Sequence, residues 1–244
     1  MPAKTVYYIG HKDTNFIEKG LKSGGLPTPL DSIKEDCIVR QTNLEQEGYV
    51  YHQCPVYTHK RDRTFVVLSP IDLSISFNRG TREVISSNSD MVYYEEDGLN
   101  SPKAVFQIDI PKFIFWTDEK DVWLEFNDHP MTSYSNNFIA IGGWFNLSNW
   151  SKISDFAITI VDEEKPIIIK KGDPIFRLFF RSSNPNDGII LKQIQEPNKI
   201  FKITSKYKEK TIKGFKDPAY WKEKIFTDTT KERKCPVSFL FKRD

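Results

Sequence analysis

The sequence predicts a mainly β fold, a two-sheet β-sandwich or jelly-roll-like barrel with a short C-terminal helix, on three observations. Short apolar runs rich in β-branched and aromatic residues recur along the chain, each ended by Gly, Pro, Asn or charge. Several of them alternate apolar with polar or small residues at the period of two that belongs to a strand with one covered face. Aromatic residues make up 14% of the chain, and such side chains suit a half-buried pleated surface. A chain of 244 residues can bury a sizeable core as one unit. The expectation is a single mainly-β domain over residues 1–244, with an irregular segment at 11–30 and a C-terminal extension at 205–244.

In chain order, residues 4–10 read as a first strand. Gly20, Gly24, Gly25, Pro27 and Pro29 then exclude any regular element. Residues 30–41 are ambiguous: Asp31 could cap a helix, whereas Cys37, Ile38 and Val39 favour a strand. Residues 64–68 form a strong strand that stops at Ser69-Pro70. In residues 71–77 the apolar side chains take every odd position, and Asn78-Arg79-Gly80 closes the run. Residues 86–90 read as a turn and 91–94 as a further strand.

Residues 106–116 are interrupted by Pro111, which cannot donate a ladder hydrogen bond and so marks an edge, a bulge or a break. Residues 122–126 read as a strand followed by a loop at 127–130. The centre of the chain lies in 138–180, where runs at 138–141, 156–161 and 175–180 are separated by the turns 162–166 and 171–174. Here Phe156, Ile158, Ile160, Ile175, Leu178 and Phe180 are the expected core. Residues 189–194 and 199–204 are two more strands. Asp217 as N-cap with Pro218 at the first helical position announces the single helix, at 217–224. Residues 237–241 read as a last strand or a docked tail.

Charge and cysteine content bound the function. Basic and acidic residues number 35 and 33, so no overall field draws in nucleic acid or an anionic membrane. Cys37, Cys54 and Cys235 are odd in number and widely spaced, which fits reduced thiols in a cytoplasmic setting better than a disulfide framework or a zinc finger. The N-terminus carries no basic-then-apolar signal, and no window reaches about 18 consecutive apolar residues.

Candidate chemistry is sparse. His52, Cys54 and His59 form the best metal-like cluster, but a zinc site wants three or four ligands and no second pair recurs, so no metal site is assigned. Glu125, Asp128 and His129 combine carboxylates with an imidazole at the end of a strand, a pattern suited to general acid–base work, although Asn-Asp-His-Pro is also ordinary turn chemistry. Trp123, Trp144 and Trp150 supply a possible ligand-binding surface, because indoles offer large contact area at little entropic cost. If residues 122–126 and 138–141 are antiparallel neighbours, Trp123 and Trp144 meet at one end, away from His129. The competing expectation buries both indoles in the core. Gly142-Gly143 reads as a bulge or tight bend that lets a backbone pass close to a neighbour. No phosphate loop, dinucleotide fingerprint or nucleophile elbow occurs.

Two resemblances follow. Residues 166–178, reading PIIIKKGDPIFRL, resemble a strand-turn-strand element of the dUTPase and dCTP deaminase family, where it is a scaffold. That family's Asp and Ser catalytic signatures have no counterpart here, so the resemblance implies fold and not activity. The chain also resembles an uncharacterised family of bacterial and phage proteins. The likeness lies in Cys54-Pro55, the segment 65–77 with its Ser-Pro-Ile-Asp centre, a middle Gly-aromatic segment, the Lys-Gly-Asp-Pro-Ile-Phe element and the closing Pro236-Val237-Ser238-Phe239. It implies a phage-encoded accessory or virion protein and names no activity.

Two functions stand side by side. The favoured one is a non-catalytic binding or structural module, since aromatic-rich sheets without a catalytic signature need partners more than substrates. The rival is a small-molecule enzyme acting on a sugar or nucleotide, with or without a metal, through Glu125, Asp128 and His129. The cofactor is unknown, the ligand is a protein or a small molecule, and homo-oligomerisation is open.

Overall fold

The structure, a computed structural model, describes residues 3–9, 37–44, 54–88, 92–94, 102–129, 135–148 and 153–194. The expected helix at 217–224, the strands at 199–204 and 237–241, the segments 11–30 and 205–244, and His52, Trp150 and Cys235 lie outside these residues.

Fourteen strands carry the described chain: β1 (Ala3–Ile9), β2 (Ile38–Arg40), β3 (Thr64–Leu68), β4 (Leu73–Asn78), β5 (Glu83–Ser86), β6 (Val92–Tyr93), β7 (Val105–Trp116), β8 (Val122–Asp128), β9 (Phe138–Ala140), β10 (Gly143–Asn146), β11 (Ile153–Ile160), β12 (Ile167–Ile169), β13 (Pro174–Ser182) and β14 (Gly188–Gln193). They make three sheets. One has the order β14-β1-β7-β11-β9 with β6 also on β7, the second β10-β8-β13-β3-β2, and the third, smaller one β12-β4-β5. Every pairing is antiparallel except that of β1 with β14.

The first two sheets pack face to face through phenylalanine. Phe156 of β11 stacks on Phe176 of β13 with ring centroids 4.1 Å apart and meets Phe126 of β8 edge-on, while Phe115 of β7 meets Phe180 of β13. The third sheet joins the same core by Phe77 of β4 against Phe106 of β7. All six residues expected in the core are buried. The alternation in β4 and β11 decides which face turns inward: Leu73, Ile75 and Phe77 are buried between half-buried serines, and Phe156, Ile158 and Ile160 are buried on either side of Ala157 and Thr159.

Pro111 lies inside β7, and the ladder accommodates it. Phe113 pairs with Ser154 and Ile108 with Phe156, so β7 spends five residues where β11 spends two. The bulge switches which parity points inward, from Phe106 and Ile108 to Phe113 and Phe115. The turn between β12 and β13 is equally explicit. Gly172 sits at φ +90°, a conformation open to glycine, and its N–H and the Asp173 carbonyl clasp Ser69 at 2.7 and 2.8 Å.

Several elements differ from expectation. Residues 55–61 form a helix, α1 (Pro55–Arg61), because Pro55 at its start has no N–H to satisfy and Thr58 bonds back to the Cys54 carbonyl. β5 lies between the closing Asn78-Arg79-Gly80 and the turn expected at 86–90, where no strand was expected, and is held by pairing with β4 and not by its own apolar content. The 127–130 loop begins later, since Asn127 and Asp128 pair with Arg177 and Phe176. Finally, β8 does not neighbour β9. From β8 to β11 the chain alternates between the two facing sheets, so β9 pairs with β11 and β10 pairs with β8.

Candidate functional site

Trp123, Glu125 and Asn127 alternate along β8 and share the outer face of the β10-β8-β13-β3-β2 sheet. Across the ladder, Trp144 of β10 stands opposite Glu125, and Trp123 stands opposite Arg181 of β13. The two indoles are therefore diagonal neighbours, with ring centroids 5.2 Å apart and planes tilted by 50°. Trp144 is 49% exposed and Trp123 half-buried. Neither fills the core, so the expectation of buried indoles fails for both.

Polar groups fix this surface from three sides. The Trp123 indole N–H donates to Asp121 Oδ1 at 3.1 Å. Asp121 is buried in the turn before β8 with φ +57°, and its other carboxylate oxygen has no hydrogen-bond partner. Glu125 accepts from Asn127 Nδ2 at 3.0 Å and lies 3.5 Å from Arg181 Nε, so its charge is compensated in place. Beyond them, Phe179 stands opposite Glu125 on β13, and the Lys60 ammonium of α1 lies 5.2 Å from its ring centroid.

A glycine makes the approach of β10 possible. A Cβ on Gly142 would lie 2.7 Å from the Phe126 carbonyl oxygen, whereas one on Gly143 would meet nothing within 4 Å. The first is the close-approach glycine that the sequence expects. The second begins a strand, in place of the tight bend expected there.

The acid–imidazole group does not converge. Glu125 and Asp128 are three apart in one strand and face opposite sides of the sheet. Asp128 Oδ1 accepts the Ala140 N–H of β9 at 3.0 Å, and its carbonyl accepts from Arg177 Nε at 2.8 Å, so it ties the two sheets together. His129 is buried at the strand's end. Glu125 instead joins the tryptophans, a grouping that the sequence-based division into an aromatic end and an acid–imidazole end separated. Cys54 and His59 sit at opposite ends of α1 and both are exposed; among the described residues no group of three or more His, Cys, Asp or Glu could hold a metal.

Sequence reasoning missed Asp121, Asn127 and Arg181. Asn127 was legible, since it continues the odd-numbered series of Trp123 and Glu125. Arg181 was not, because its place depends on β13 lying beside β8.

No family model matches the chain, and no curated protein does. Among solved structures it is similar to the native dUTPase of EIAV at 11% identity and a TM-score of 0.32, over 57% of this chain and 87% of that one. It is also similar to a mutant dUTPase of Staphylococcus bacteriophage 80alpha with dUpNHpp, at 11% identity and 0.32, over 65% of this chain and 87% of that one. A second mutant of the phage 80alpha dUTPase gives 10% identity and 0.32, over 65% and 95%. At this identity and this TM-score none of these likenesses transfers a family or an activity to the chain.

Proposed function

We propose that this chain is a binding protein that recognises its ligand across the outer face of β10, β8 and β13, with Trp144 and Trp123 as the contact surface. The observation that carries this reading is the pair of tilted indoles at 5.2 Å, one of them 49% exposed, on a face held rigid by the ladder below. Large rigid aromatics placed beside paired polar groups supply contact area without the cost of ordering flexible chains. Asp121 supports the same reading, since its bond to the indole N–H fixes the ring in the absence of ligand.

The test is a panel of soluble polymers, namely dextran, heparin, a single-stranded oligonucleotide and a proline-rich peptide, followed by tryptophan emission. At least one polymer should shift the emission of the native protein and leave that of Trp144→Ala unchanged, with both proteins giving the same far-ultraviolet circular dichroism. A panel in which no polymer acts on the native protein, or acts equally on the variant, refutes the reading.

A further inference from the structure

We propose that this protein associates with a second copy of itself along the free edge of β5, in a two-fold antiparallel pairing centred on Ile85. The surface lies in the third sheet and is independent of the tryptophan face. β5 pairs with β4 on one side and ends the sheet on the other. Ser87 N–H donates to the Ser74 carbonyl at 3.0 Å, so by the alternation of an antiparallel ladder Ile85 and Glu83 also turn their backbone groups toward β4. Val84 and Ser86 turn theirs outward, and among the described residues nothing meets them.

Other edges of the described sheets are closed by side chains. On β9 the Ala140 N–H is taken by Asp128 Oδ1 at 3.0 Å, and on β14 the Ile189 carbonyl accepts from the Arg40 guanidinium at 3.0 Å. β12 lies between Pro166, which has no N–H, and Lys170, whose N–H is taken by Asp173 Oδ2 at 2.9 Å. Unpaired edge groups are a template for another strand, and these three edges are stopped by a carboxylate, a guanidinium and a proline. β5 carries no such stop. Its central outward side chain is Ile85, 63% exposed, on the same outer face as Ile168 of β12.

A second copy matches this edge in hydrogen bonding, shape and charge. A two-fold axis through Ile85 sets Val84 of each copy against Ser86 of the other, so the outward N–H and C=O groups exchange about four hydrogen bonds. Between them Ile85 meets its own counterpart with Cα atoms about 4.5 Å apart, the closer spacing of a non-hydrogen-bonded pair, which covers an apolar side chain now facing water. Glu83 meets Ser87 of the other copy. Ser87 Oγ already accepts the Ser74 N–H at 3.0 Å, so its O–H is left to donate to that carboxylate. Arg82 meets Asn88, and no like charges stand opposite each other. An axis through Val84 would instead set the Glu83 carboxylate against Ile85. The contact is small, so the dimer belongs at the weak end of specific interfaces and forms at about 100 µM.

Sedimentation velocity and hydrogen–deuterium exchange of the full-length protein between about 5 and about 500 µM test the pairing. The protein should pass from monomer to dimer over that range, and the Val84 and Ser86 amides, fast in dilute protein, should slow by about threefold or more. Ser86→Pro removes an outward N–H and no bond to β4, and Ile85→Lys sets two ammonium groups face to face. Each should raise the concentration needed for the dimer by about tenfold or more, with unchanged far-ultraviolet circular dichroism. Ile168→Lys, on the same outer face but away from the β5 edge, should leave it unchanged. Oxidised glutathione should convert Ile85→Cys, and not Ile168→Cys, to a covalent dimer, which decides the case if either edge variant fails to fold. A chain monomeric at every concentration, a dimer that survives both edge substitutions, or one that Ile168→Lys abolishes overturns the proposal. Slowing of the Val84 and Ser86 amides only when an extended valine–threonine peptide is added assigns the edge to a foreign strand and also overturns it.

Discussion

Gly142 and Gly143 are neighbours of identical chemistry, and the structure gives them opposite tolerances. Gly142→Ala forces a Cβ to 2.7 Å from a backbone carbonyl that belongs to a paired strand, so it should cost about 1–3 kcal/mol in urea denaturation. Gly143→Ala meets open space and should stay within about 0.5 kcal/mol of the native protein. A reversed order would mean that β10 does not lie where it is drawn against β8. Phe156 is the corresponding test of the core. It stacks on Phe176 and meets Phe113 and Phe126 edge-on, so Phe156→Ala removes contacts to both facing sheets and should cost about 3–5 kcal/mol. At the site, Trp144 and Trp123 were legible as residues worth naming, because a sequence exposes residue type directly. Their separation was not, because it depends on a strand register that only pairing defines.

Turns and bulges carry the next layer of specificity. The turn at 162–166 between β11 and β12 is held by Asn137, whose amide donates to the Asp162 and Lys165 carbonyls at 2.8 Å and accepts the Asp162 N–H at 2.8 Å. Asn137 itself has φ +63°, a conformation that asparagine tolerates better than most residues. In the same turn Glu163 receives two hydrogen bonds from Arg79, at 2.6 and 2.5 Å, and one from the Ala104 N–H at 3.1 Å, joining the end of β4 to the start of β7. The Arg79 hydrogen bonds hold the Glu163 carboxyl below the ordinary range, against a smaller upward push from burial. A depressed folded value means that the contribution is complete above the unfolded value near about 4.3 and is lost as pH falls through the folded one. Stability should therefore drop between about pH 5 and about pH 3 more in the native protein than in Glu163→Gln. Urea midpoints across that range measure it, and parallel slopes would show that Glu163 is not linked to folding.

Across the whole molecule, the layers predict which parts open first. β11 and β13 are each paired on both sides and contribute both stacked rings at the centre of the sandwich. β5 is an edge strand in the smallest sheet, with Ile85 63% exposed. In hydrogen–deuterium exchange the amides of β11 and β13 should be the slowest and those of β5 among the fastest. Rapid exchange in β13 would contradict the sandwich. A second latch closes the connection from β13 to β14: the buried Arg63 guanidinium donates to the Pro185 and Asp187 carbonyls, and Asp187 is also held by Ser182 and Asn184. Burial pulls the Arg63 guanidinium below its ordinary value, and the nearby Asp187 charge partly offsets that. Among the described residues no helix is long and apolar enough to cross a membrane; Cys37 is buried and Cys54 exposed.

The mainly β class, most strand positions and the inward faces of β4 and β11 follow from the sequence alone, because hydrophobic alternation is a local property with a fixed period. The parity switch at Pro111 was half-visible: proline signals a broken ladder, but only the partner strand shows a bulge within a continuous β7. α1 and β5 were hidden because one rests on capping at Cys54-Pro55 and the other on its neighbour β4, neither of which imposes an apolar pattern. Sheet membership was decided by the tertiary structure. Consecutive strands β8, β9 and β10 look interchangeable in sequence, yet they alternate between layers, and that alternation brings Trp144 to Trp123 and Arg181 to Glu125. Residues 21 and 56 positions apart become neighbours through cross-strand pairing, which is a relation between segments and leaves no trace within either one.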